Sequence, residues 1–132
     1  MNAEQIRLVR ETWKLILPMR TAVAELFYSK LFELEPRLRP LFKSDLERQG
    51  EKLIAMLDAA VRGLDHPHVL GPALKDLGQR HVRYGASEND YGTVAVSLLW
   101  TLEQSLGAAF TVDARRAWTE AYATIVAMMH SR

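Results

Sequence analysis

Four residues stand out against the apolar pattern of this chain for what their side chains could do. His81 follows Leu74, Leu77 and Gly78 at intervals of seven, four and three residues, so on a helix its imidazole leaves from the leucine face. An imidazole on such a stripe is either a hydrogen-bonded core residue or a ligand for something held there. Tyr91, ten residues further on, brings a phenol that could hold a ring nitrogen of His81 directly, or hold the group that does. Tyr28 borders a buried helical stripe of Val23, Phe27, Leu31 and Leu34, and Gln49 stands on another stripe where an apolar residue is expected. Imidazole is a good iron ligand, whereas a phenol and an amide donate hydrogen bonds to a small polar ligand.

The elements that would position these residues are all helical. Asn2 and Gln5 form a capping box, after which Ile6, Val9, Trp13 and Ile16 keep a helical period up to Pro18. The Val23 stripe closes at Glu35, because a residue before proline is pushed out of helical angles, and Pro36 to Phe42 reads as an irregular turn with Leu38, Leu41 and Phe42 facing inward. Ser44 with Glu47 predicts a second capping box, opening a long helix through Leu53, Leu57 and Val61 to Leu64. Asp65 to Pro72, with two prolines, a glycine and two histidines, reads as a connecting loop before the His81 helix. Gly85 stops that helix and Ser87 caps the next, which runs to Gly107; Thr111 opens the last, with Ala114, Trp118, Tyr122, Ile125 and Met129. Without any alternating strand pattern, this predicts one all-α domain of six or seven helices over residues 1–132.

Composition narrows the function. At 132 residues the chain has the length of one ordinary domain, and its net charge of +1 leaves no basic excess for a phosphate-binding face. Nucleic acid is not an expected partner. A helical DNA reader would present Arg80, His81 and Arg83, but His81 belongs to the apolar stripe. No apolar run approaches the roughly 18 residues that cross a bilayer, so no membrane is expected. The absence of cysteine excludes disulfides, thiolate-bound zinc, iron–sulfur clusters and thioether-linked haem. The amino terminus carries Glu4 early and has no apolar core, which predicts a cytoplasmic protein. His66-Pro67-His68 could chelate a metal, but only Asp65 accompanies it and no site is assigned there.

Phe-Tyr-Ser-Lys-Leu-Phe-Glu-Leu-Glu-Pro at 27–36, Leu-Phe-Lys at 41–43, the stretch Leu77 to Gly85, and Ala117-Trp118 with Tyr122 occur in an order that resembles the bacterial single-domain haemoglobins related to the globin module of flavohaemoglobins. The resemblance spans the chain and implies a globin fold around one haem pocket, with noncovalent haem b. It implies His81 as the proximal iron ligand, Phe42 packed on the haem, Tyr28 and Gln49 as the distal polar pair, and Leu53 shaping the ligand cavity. Lys52 and Arg80 are the cations best placed for the haem propionates, and Tyr91 supports the proximal side. The implied ligands are oxygen, nitric oxide and carbon monoxide. Nitric oxide dioxygenation is a further implied activity, for which a separate reductase would supply electrons. The chain departs from the flavohaemoglobin pattern in lacking a glutamate near its end, which puts strong proximal electron push in doubt. The competing reading is a haem-free globin-fold interaction or signalling module, since fold does not guarantee a cofactor. Sequence does not reach the oligomeric state.

Overall fold

The computed structural model describes residues 1–42, 45–83 and 85–130, with the main chain alone for Arg83. Among these residues it has six α-helices and three short 3-10 turns: α1 (Ala3–Ile16), α2 (Arg20–Leu34), α3 (Leu46–Arg62), α4 (Pro67–Arg83), α5 (Glu88–Leu106) and α6 (Val112–Met129). No helix among them is long and apolar enough to cross a membrane.

Most helix ends follow the local chemistry. The Asn2 side chain accepts the Gln5 amide at 2.8 Å, and the Gln5 side chain accepts the Asn2 amide at 3.1 Å. At Pro18 the backbone tightens into a 3-10 turn before α2 begins. Glu35 is extended, and Pro36–Leu41 forms a 3-10 corner that buries Leu38 and delivers Phe42. Gly107, at φ +54°, ends α5, and the Thr111 hydroxyl accepts the Ala114 amide at 3.1 Å to start α6.

Two boundaries differ from the sequence reading. Ser44 lies outside the described residues, and α3 is capped by Asp45, whose carboxylate accepts the Arg48 amide at 2.8 Å. The expected loop at Asp65–Pro72 is in fact largely the start of α4, which begins at Pro67 and contains Pro72. Proline suits the first helical position because its missing N–H has no partner there. Pro72 costs one further bond near the helix start. Burial of Leu70 and Leu74 against Ile125 and Met129 of α6 outweighs it.

The helices pack pairwise, α1 on α6, α2 on α5 and α3, and α4 on α6. The core is divided. A larger cluster holds Val9, Trp13, Ile16, Phe27, Leu31, Leu102 and Trp118, and a separate smaller one holds Ala60, Leu70, Leu74, Ile125 and Met129. Trp118, 1% exposed, donates its indole N–H to the Thr12 hydroxyl at 2.8 Å, and its ring lies 6.0 Å from that of Trp13. Thr12→Val should leave that N–H buried without an acceptor and lower unfolding stability by about 1–3 kcal/mol. Chemical denaturation measures this, and an unchanged midpoint would show that the indole finds another partner.

Candidate functional site

Helix α4 presents one continuous stripe that comes out of the core as it proceeds. Leu70 and Leu74 are buried, while Leu77 and His81 are only half-buried. The His81 Nδ1 lies 2.9 Å from the Leu77 carbonyl. A carbonyl oxygen can only accept, so this bond requires the proton on Nδ1 and leaves the ring's lone pair on Nε2. That nitrogen meets the Leu77 carbonyl, one turn back on the same helix, and Tyr91 makes no direct hydrogen bond to it. The Tyr91 hydroxyl is itself buried and makes no hydrogen bond. The Tyr91 ring meets the His130 ring edge-on at 4.6 Å, and its main-chain carbonyl accepts the Tyr122 hydroxyl at 2.6 Å. Burial raises the Tyr91 phenol above its usual range, helped by the neighbouring Asp90 charge.

Helices α2 and α3 and the 3-10 corner bring a second group together. Tyr28 is buried among aromatic rings, with Phe42 at 5.3 Å, Phe27 at 5.2 Å and Phe32 at 5.8 Å. Its hydroxyl donates to the main-chain carbonyl of Gln49 at 3.3 Å. Burial pushes the Tyr28 phenol up to about 12, so it keeps its proton and remains a donor throughout the physiological range. The structure thus brings Tyr28, Phe42 and Gln49 to one place, with half-buried Leu53 one turn beyond Gln49 on α3. Lys52, beside Leu53, is exposed. Arg80 is also exposed, and its guanidinium pairs with Asp76 at 3.2 Å, a surface pair that is readily exchanged. Among the described residues no group of three or more His, Asp or Glu side chains is placed to hold a metal ion.

The two walls are tied at one end by contacts that pattern reading missed. Arg37, in the corner that delivers Phe42, pairs with Asp90 in the first turn of α5. Asp90 also accepts the Ser87 amide at 2.8 Å, and its side chain is 7% exposed. Gly85, at φ +97°, turns the chain out of α4, and a Cβ placed there would lie 3.5 Å from Leu41. The corner after α2 and the corner after α4 therefore meet. Ser87 and Asp90 signal a cap at sequence level, but nothing local links Asp90 to Arg37. Between α2 and α3 runs an outer groove of about 980 Å³ lined by Ala24, Tyr28, Phe32, Gly50 and Ile54 among others.

Six helices among the described residues, a divided core and a histidine at the margin of its smaller part fit a globin. The chain belongs to the globin family, whose model it matches over residues 25–129. It is 30% identical to a neuroglobin of Tetraodon nigroviridis, covering 98% of this chain and 90% of that protein. It is 32% identical to a flavohemoprotein of Xylella fastidiosa over 96% of this chain but only 32% of that protein. Among solved structures it resembles an engineered carbene transferase, itself a candidate nitric oxide dioxygenase, from Rhodothermus marinus (TM-score 0.87, 29% identity, 98% of this chain and 90% of that one). A hexacoordinated haem protein from an anhydrobiotic tardigrade shares the fold (TM-score 0.87, 21% identity).

Burial alone would raise the Asp90 carboxyl, but the Ser87 amide and hydroxyl and the Arg37 guanidinium outweigh it and hold the group below its ordinary value of 3.8. A carboxyl depressed by folding stabilises fully above the unfolded value, and that contribution disappears as pH falls through the folded one. Asp90→Asn should therefore be less stable than the parent at neutral pH, with the difference closing in strong acid. Denaturation midpoints across the acid range test this, and a difference independent of pH would contradict it.

Proposed function

We propose that this globin holds one noncovalent b-type haem through His81 Nε2 and reversibly binds oxygen and other diatomic gases beneath Tyr28 and Gln49. The single observation that carries the reading is the Leu77 carbonyl on His81 Nδ1, which selects the tautomer whose lone pair lies on Nε2 and fixes the ring's orientation. Three features fit a flat apolar group in the same place. The core is split in two, half-buried apolar side chains such as Phe42, Leu53 and Val94 border one part, and Leu77 and Tyr91 border the other. The buried Tyr91 hydroxyl without a partner lies on the His81 side.

His81 would hold a bound haem, which would supply an iron able to bind a diatomic gas. The chain supplies the rest. Tyr28 offers a protonated phenol held by three aromatic neighbours, whose single proton, donated here to the Gln49 main-chain carbonyl, would turn to a polar ligand when one arrives. Gln49 adds an amide at the start of α3, and Leu53 excludes water beside it. Lys52 and Arg80 offer cations for the propionates. We place the protein in the cytoplasm as a single globin domain.

A second reading, nitric oxide dioxygenation with electrons from a separate reductase, is favoured by the Rhodothermus neighbour and by the flavohemoprotein, of which this chain spans a third. Repeated nitrate formation from nitric oxide, oxygen and an added reductase is the expected result. A single turnover only would leave ligand binding as the activity.

The decisive experiment is the visible spectrum after reconstitution with haem. A stoichiometric Soret band and a stable oxygen complex are expected, with specific haem retention largely lost in His81→Ala. Tyr28→Phe should keep the haem but release oxygen several-fold faster, as loss of one hydrogen bond of about 1 kcal/mol implies. No specific haem uptake by the parent protein would instead support a haem-free interaction module.

A further inference from the structure

We propose that Gly78 is the positioning residue that sets where His81 stands, by letting the main chain of α4 rest directly on the main chain of α6. The inference rests on His81 being the iron ligand. A Cβ built on Gly78 would lie 2.0 Å from the Met129 carbonyl oxygen, 2.7 Å from its carbonyl carbon and 2.9 Å from its Cβ. None of these atoms is the end of a flexible side chain, so any residue other than glycine forces the two helices apart.

The far side of the contact is firmly held. Met129, the last residue of α6, is buried. Tyr122, earlier on α6, donates to the Tyr91 carbonyl, and His130, next to Met129, packs its ring on Tyr91. The near side carries the proximal apparatus within one turn. Leu77, whose carbonyl orients the His81 ring, precedes Gly78, and His81 follows three residues later. A stiff helix lifted at Gly78 carries that carbonyl and that ring with it. The Nδ1 bond survives while the height and tilt of the imidazole change. Glycine is a poor residue for a helix interior, and the close contact is the reason it stands there.

The test compares Gly78→Ala with Leu74→Ala, which opens space in the same helix interface without separating the main chains. In the haem-reconstituted ferrous proteins, Gly78→Ala should displace the iron–imidazole stretching band and accelerate haem transfer to an excess acceptor by about tenfold or more. Leu74→Ala should lose unfolding stability with the band in place. In a His81→Gly background supplied with free imidazole, the band should be the same with glycine or alanine at position 78, because the ring is no longer tethered to α4. Should Gly78→Ala fail to fold, it is combined with a chain ended at Met128, which removes the Met129 carbonyl and Cβ together, so that variant should fold and recover the band.

Equal band positions in Gly78→Ala and the parent, equal displacement in Leu74→Ala, or no rescue by ending the chain at Met128 would each overturn the proposal. A His81→Gly protein that keeps its haem and its histidine band without added imidazole would show that the ligand assignment itself, and not the role of Gly78, is wrong.

Discussion

Helix α4 depends on α6. Among the described residues its substantial packing is all with that one helix, and it touches the others marginally at most. A helix held along one side is free to bury its seam and expose the next face to whatever occupies the divided core. Leu70 and Leu74 form the seam with Ile125 and Met129, and Leu77 and His81 emerge from it half-covered. The close approach at Gly78 belongs to the same constraint. Without a side chain between the two backbones, the stripe of Leu77 and His81 lies close against α6.

The opposite wall is built by a different physics. Tyr28, Phe27, Phe32 and Phe42 enclose one another edge to face or offset, an arrangement their ring quadrupoles favour. Burial there keeps the phenol protonated, which suits it to donate rather than accept. The connection from Phe42 to Gln49 contains six residues, with α3 starting at Leu46, so the aromatic corner and the amide cannot move far independently. Arg37 with Asp90, and Leu41 near Gly85, then join this wall to the end of α4. These corner contacts link the two groups of candidate residues.

Similarity to relatives of different sizes fits this layout. The chain covers nine tenths of a neuroglobin but one third of a flavohemoprotein, at about the same identity. What this chain matches to the globin family lies over residues 25–129.

Much was legible in the sequence by itself. Helical periods, the Asn2–Gln5 box, Glu35 before Pro36, and Gly85, Ser87, Gly107 and Thr111 at helix ends are local signals, each acting within about one turn, so they survive without knowledge of the fold. His81 on its leucine stripe, and Tyr28 and Gln49 at the margins of theirs, were visible as polar groups placed against a period. Tertiary structure decided the rest. Pro67 and Pro72 looked like a loop because local propensity opposes a helix there, and only burial against α6 overrides it. Whether Leu77 or Tyr91 holds His81 Nδ1 depended on the distance between helices, which no spacing encodes, as did the meeting of Gly78 with Met129 and of Arg37 with Asp90. The last two contacts join residues about 50 apart in the chain, and the physical reason they escape the sequence is that their partners are chosen by packing, after the helices have formed.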